Sequence, residues 1–171
     1  MLYFGYGSNM LTPRIRARVP SARPVTTARL DGYALCFHKR SRDGSGKCTV
    51  VPDEDSAVYG VVFEVAADDI DGLDEAEQQG RRYRRTDVPV HTASTALEAF
   101  TYVAEPAFVD EAYIPSEWYH ALVLAGAREH SLPPAYVERI ASVRTYPDPN
   151  RERRRTYRQL LEEAGYPLLD A

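Results

Sequence analysis

Two cysteines, Cys36 and Cys48, are all the thiol this 171-residue chain carries. A pair makes neither a disulfide framework nor a zinc site, and the expected setting is reducing and cytoplasmic. Lysine is as scarce: Lys39 and Lys47 are the only lysines among 21 basic residues, a skew read here as coding composition rather than function. No apolar run approaches the ~18 residues of a membrane span, and no basic region followed by an apolar stretch marks a signal peptide. The phosphate loops GxxxxGK[ST] and GxGxxG are both missing. His38, His91, His120 and His130 show no HxxxH or HxH spacing, so no metal is expected. Neither Ser8 nor Cys36 has the motif partners of a covalent nucleophile. A net charge of −4 and a pI of about 5.6 leave no overall footprint for nucleic acid. The arginine clusters RRYRR and RERRRTYR have acids beside them, at Asp87 and at Glu152, Glu162 and Glu163, and read as solvated or dimer-contacting faces.

What is present fits one domain with a real core. Hydrophobic residues make up 44% of the chain and charged ones 27%, ordinary for a globular protein. Leu2–Tyr6 reads as a short buried strand, Gly7-Ser8-Asn9 as a turn, and LTPRIRARV as a short helix that Ser8 or Asn9 caps. One or two strands are expected through Ala28–His38, another at Cys48–Val51 inside a turn-rich stretch, and a central one at 58–65, VYGVVFEV. Residues 66–79 suit a short helix ended by Gly80. Tyr83–His91 and Ala99–Ala104 look like strands, and from Ser116 the pattern turns helical, with Trp118, Leu122 and Ala125 on one face. A helix at Ala135–Val143 and a terminal one starting near Asn150 complete the chain. Strands first and helices later imply α+β, with the sheet curled toward a barrel. The expected division is a domain over 1–143 and a helical extension over 144–171 packed on it.

Two stretches carry chemistry. In YGSN a glycine-serine turn between strand and helix leaves successive N–H groups unpaired, an anion site that without a lysine suits a carboxylate or oxyanion. The tetrapeptide alone reads equally as a plain tight turn. LDEAE lies among four acids between Asp71 and Glu77 on a short helix, which are usually a solvated face. A general base needs a carboxylate at an element's end, shielded from water, and position alone does not choose among Asp74, Glu75 and Glu77.

The order and spacing of three stretches resemble the γ-glutamylcyclotransferases. They are YFGYGSNM at Tyr3–Met10 followed by LTPRIRARVPSA, then VYGVVFEV with LDEAE and a tyrosine six residues on, and then IPSEWYHALVLAGAREHSLPPAYVERI. The likeness runs from about residue 2 to 142. It implies a small mixed β-barrel flanked by helices, and conversion of a γ-glutamyl amino acid or amine to 5-oxoproline and a free amine without cofactor or metal. By resemblance Glu77 is the catalytic glutamate. Tyr3, Phe4, Gly5, Tyr6, Gly7 and Ser8 match the substrate-holding loop, Asn9 lies beside it, and Tyr83, Tyr119 and Tyr102 match cavity tyrosines. The reaction these roles allow is closure of a five-membered ring by the substrate's own α-amine, with Glu77 as base and then acid. Tyr3 and Tyr6 are expected to split between barrel interior and cavity. The expected partner is a small γ-glutamyl substrate, with no nucleic acid or membrane, and the family's frequent dimers imply a homodimer. The alternative is an inactive ligand-binding or interaction domain of the same fold. Gln78 stands where the family has glycine, and the tail from Arg144 matches nothing in it.

Overall fold

The computed structural model describes residues 1–167. Its first strand, β1 (Leu2–Gly5), gives way to a 3₁₀ turn at Ser8–Met10 and a short helix α1 (Thr12–Arg16). Pro13 occupies the first turn of α1, where a missing N–H does no harm, but neither Ser8 nor Asn9 caps it. Leu11 holds the N-cap position, and both polar side chains are buried elsewhere. Two long strands follow, β2 (Arg23–Arg40) and β3 (Gly46–Glu64).

The expected separate strands at Cys48–Val51 and 58–65 are one continuous element. Asp31 pairs with Ala57 and Tyr33 with Pro52, so residues 53–56 bulge out of β3 opposite Gly32. Ser56 donates its hydroxyl to Asp53 at 2.7 Å and the Asp55 N–H reaches the same carboxylate at 3.2 Å. The polar run therefore satisfies itself without reversing the chain, and Gly32, at φ 76°, takes the bend on the facing strand.

Helix α2 (Ile70–Glu77) follows a 3₁₀ turn and buries Ile70 and Leu73. It ends earlier than expected, because Gln78 itself adopts the left-handed conformation, φ 55°, that closes a helix. Gly80, at φ 75°, lies beyond it in the next turn. Strands β4 (Tyr83–His91) and β5 (Ala96–Ala104) pair antiparallel along their whole length, with Pro89 opposite Glu98.

The five strands close in the order β1-β3-β2-β4-β5. β1 runs antiparallel to β3 and parallel to β5, Tyr3 facing Phe63 on one side and Phe100 on the other, which makes the barrel mixed. Closure removes the exposed sheet edge. Phe4, Val58, Val61, Val62, Phe63 and Val90 fill the core.

Helix α3 (Glu117–Glu129) buries Trp118, Leu122 and Ala125 on one face, as its spacing predicts. A Cβ at Gly126 would come within 2.5 Å of the Leu11 nitrogen and 2.6 Å of Met10 Cβ, so α3 lies directly against the chain that leaves β1. Helix α4 (Pro134–Ala141) precedes α5 (Arg151–Glu163), whose N-cap is the expected Asn150, with its side chain accepting from the Arg153 N–H at 2.9 Å.

The tail packs on α3. Tyr157 stacks on Trp118 with ring centroids 4.0 Å apart, and buried Asp148 accepts from Trp118 Nε1 at 2.6 Å and from Arg153 Nη2 at 2.7 Å. The last four positions of the expected 144–171 extension lie outside the described residues. Cys36 and Cys48 sit on adjacent strands and are both free thiols. Among the described residues no helix is long and apolar enough to cross a membrane.

Candidate active site

At one end of the barrel, the start of the chain, the end of α2, the turn end of the β2–β3 hairpin and α3 enclose a cavity of about 130 Å³. Tyr3, Tyr6, Gly7, Ser8 and Asn9 line one side, and Glu77, Gln78, Tyr83, Tyr102 and Tyr119 are among the residues that line the others. The stretches that sequence singled out thus share one hollow.

Two members of the expected loop do not. Phe4 is fully buried in the core, because it faces away from Tyr3 on a strand whose side chains alternate. Gly5 pairs in the sheet opposite Val61, and its carbonyl would lie 2.4 Å from a Cβ at Gly60. Its part is close backbone packing. Tyr3 and Tyr6 do not split, for both face the cavity. The strand ends at Gly5, so the alternation that would send them to opposite faces no longer governs Tyr6.

The structure chooses among the three acids of LDEAE. Glu75 is exposed. Asp74 bonds Arg85 at 2.9 Å and takes the Tyr102 hydroxyl. Glu77 alone of the three lines the cavity. Its Oε1 accepts from Arg18 Nη1 at 2.8 Å and from Asn9 Nδ2 at 3.0 Å, while Oε2 has no partner among the described residues. Asn9 Nδ2 also donates to the Tyr3 hydroxyl at 3.0 Å, and Asn9 Oδ1 accepts from Arg18 at 2.9 Å. Loop and helix are therefore tied through one carboxylate oxygen, which fixes the direction of the other.

The loop supplies donors. The N–H groups of Gly7, Ser8 and Asn9 have no acceptor among the described residues, because the turn's bonds begin with Met10 N–H to Gly7 O. Gly7 keeps this backbone against the wall, since a Cβ there would meet Cys48 Cβ at 3.1 Å. Arg14 stands behind the loop, giving Nε–H to Ser8 Oγ at 2.9 Å.

The tyrosines form a rigid frame. Tyr6 donates to the Tyr102 carbonyl, Tyr83 to the Cys48 carbonyl at 2.8 Å, and the Cys48 N–H donates to the Tyr119 hydroxyl at 3.0 Å. Burial raises all three phenols well above the usual tyrosine range, so they act as neutral hydrogen-bonding groups. Burial likewise pushes the Cys48 thiol up to about 12. Among the described residues no three His, Cys, Asp or Glu converge to hold a metal ion.

Sequence reasoning missed four cations of the cavity lining: Arg14, Arg18, Lys39 and Lys47. The four-residue spacing of Arg14 and Arg18 around α1 was a signal, and so was the scarcity of lysine, since both lysines of the chain lie here. Lys47 pairs with Asp43 at 2.9 Å and sits over the rings of Trp118 and Tyr119. Burial lowers Lys47 to about 8. Burial alone would raise Asp43, but Lys47 and Ser45 outweigh it and bring the carboxyl down to about 2.

Residues 57–140 match the model of the AIG2-like family. Human γ-glutamylcyclotransferase is 32% identical over 149 residues, covering 83% of this chain and 78% of that protein. The bovine protein of the same name is 31% identical over 154 residues. A solved structure named γ-glutamyl cyclotransferase superposes with a TM-score of 0.80 at 28% identity, over 93% of this chain and 98% of that one.

Proposed function

This chain belongs to the γ-glutamylcyclotransferase family, and from that premise we propose that Glu77 carries both proton transfers of the cyclisation. The activity converts a γ-glutamyl compound to 5-oxoproline and a free amine. One observation carries the proposal: the Glu77 carboxylate is pinned at Oε1 by Asn9 and Arg18, beside the unpaired amides of Gly7-Ser8-Asn9.

The substrate contains both reacting groups. Once its chain is bent, the α-amine attacks the γ-carbonyl carbon within one molecule, and good orientation lowers the barrier by roughly 7–11 kcal/mol relative to a bimolecular attack. Glu77 first takes a proton from the α-ammonium. The new C–N bond forms and the carbonyl electrons move to oxygen. Protonated Glu77 then gives its proton to the departing nitrogen as the carbonyl re-forms and the old C–N bond breaks, and the ring nitrogen's remaining extra proton, taken up again by Glu77, leaves with the amine as its ammonium. The loop amides hold the α-carboxylate or the developing oxyanion with fixed dipoles that need no reorganisation. Tyr83 and Tyr119 line the pocket and bond the polar ends of the substrate.

Glu77→Gln tests this. The variant keeps an oxygen for Asn9 and Arg18, so it should bind a γ-glutamyl ligand by calorimetry while 5-oxoproline release falls ~10²–10⁴-fold. Undiminished release would remove Glu77 from the mechanism. We further propose that the protein works on a free small molecule in the cytoplasm, a setting that suits two unpaired thiols, without nucleic-acid or membrane partners. A homodimer, to be measured by sedimentation, completes the reading.

A further inference from the structure

Lys39 and Lys47 face each other across β2 and β3 as directly paired residues. Like charges in that position repel, and a chain that uses arginine at every other basic position has lysine at both. Their surroundings differ. Lys47 is neutralised by Asp43 and also bonds Ser45 Oγ at 2.7 Å. Arg18 is neutralised by Glu77. Arg14 supports Ser8 and lies over the Tyr157 ring, 5.0 Å from its centroid.

Lys39 is only 5% exposed, and its ammonium lies 4.4 Å from the centroid of the Tyr83 ring. No carboxylate of the described residues comes within 4.0 Å of it. Buried lysines are rare unless paired. The side chain lines the reaction cavity, so the missing partner belongs to what the cavity receives.

We propose that Lys39 is a specificity-determining residue whose ammonium receives a second carboxylate, carried by the departing amine, so that the enzyme selects γ-glutamyl amino acids over γ-glutamyl compounds of neutral amines. This rests on the cyclotransfer reading above. The glutamyl α-carboxylate is bonded to the same carbon as the attacking amine, so it must lie beside Glu77 and the loop amides. Lys39 lies outside ion-pair range of Glu77 and against the Tyr83 ring, so with the α-carboxylate taken by the loop amides the carboxylate left for it is the one beyond the scissile bond. Charge agrees with this: Arg14, Arg18, Lys39 and Lys47 against Glu77 and Asp43 leave two positive charges. A γ-glutamyl amino acid entering with its α-ammonium intact brings one net negative charge, and a γ-glutamyl amide of a neutral amine brings none. Lysine suits the place better than arginine because its compact charge leaves room in a small cavity.

The experiment compares γ-glutamylglycine with γ-glutamylglycinamide, which differ in that one charge, by 5-oxoproline release from wild type, Lys39→Met and Lys39→Gln. Wild type should favour the glycine compound in kcat/KM by about tenfold or more, the worth of roughly 1.4 kcal/mol. Both variants should bring the ratio near one, chiefly through KM for the glycine compound. A ratio that survives in the folded variants overturns the proposal, whether because neither substrate is affected or because both fall alike. Absence of product from either substrate with wild type would instead overturn the cyclotransfer reading beneath it.

Discussion

Replacing Gly126 by alanine should damage an enzyme whose active-site loop is held in place from behind. Gly126 lies on α3 against the chain that leaves β1, where an added Cβ would sit 2.5 Å from the Leu11 nitrogen, 2.6 Å from Met10 Cβ and 2.8 Å from the Met10 carbonyl carbon. These are backbone and stem atoms, which cannot rotate away as a side-chain tip can. Ordinary contact begins near 3.4 Å, so helix and loop must part by roughly 1 Å. Overpacking of this kind costs typically 1–3 kcal/mol, while alanine in a helix returns about 1 kcal/mol relative to glycine. The net loss of up to ~2 kcal/mol should lower Tm by roughly 4–8 °C for a domain of this size. The larger effect should be on turnover. Met10 adjoins Asn9, whose amide holds Glu77 at 3.0 Å, and misplacing a reacting group by 1 Å can cost on the order of 10²-fold in rate. Thermal melts and 5-oxoproline release measure the two effects separately. Ala121→Gly is the control: it weakens the same helix by about 1 kcal/mol through propensity, together with the packing of one partly buried methyl, and adds no atom against the loop. A Gly126→Ala enzyme with wild-type turnover would refute the claim that α3 sets the position of the loop.

Gln78→Gly should stabilise the fold by about 1 kcal/mol in denaturant titrations, because it frees a left-handed residue from its Cβ and removes a buried, unpartnered side-chain oxygen; a loss of stability would contradict this reading of the helix end. Asp148→Ala should cost about 3 kcal/mol and red-shift the emission of Trp118, the single tryptophan, as the ion pair with Arg153 and the bond to the indole are lost; unchanged emission would mean that the tail is held by other contacts. Between pH 8 and 9.5 wild-type stability should rise. Burial lowers Lys39 to about 8, with Arg82 and Lys47 adding to the effect and Glu77 and Asp43 opposing it. The native state therefore sheds this proton near pH 8, while the unfolded chain keeps it toward 10.5. The gain should shrink in Lys39→Met, where Lys47 still favours the native state as pH rises and the buried Cys48 thiol, held protonated to about 12, works against it; an undiminished gain would locate its origin elsewhere.

Local chemistry was legible where it depends on neighbours in the chain. The face of α3, the Asn150 cap and the whole of β4 follow from spacing and side-chain type within a dozen residues. Residues 53–56 misled because a polar run that bonds to itself resembles a turn, and only the pairing of Asp31 with Ala57 shows β3 to be continuous. Gln78 misled because a glycine two positions later offers the more comfortable left-handed residue.

The sequence by itself determined the α+β class, the barrel through its resemblance, and the two stretches, YGSN and LDEAE, that meet in the cavity. Residue type and position did not separate Asp74, Glu75 and Glu77; the resemblance pointed to Glu77, and the tertiary structure supplies the physical reason, since the three differ in which way their helix faces and in what lies across from it. It also assembled Arg14, Arg18, Lys39 and Lys47 around the site. Closing a barrel brings together residues that are dozens of positions apart, and the interactions that single them out, such as Asn9 with Glu77 across 68 residues, exist only once the strands have paired.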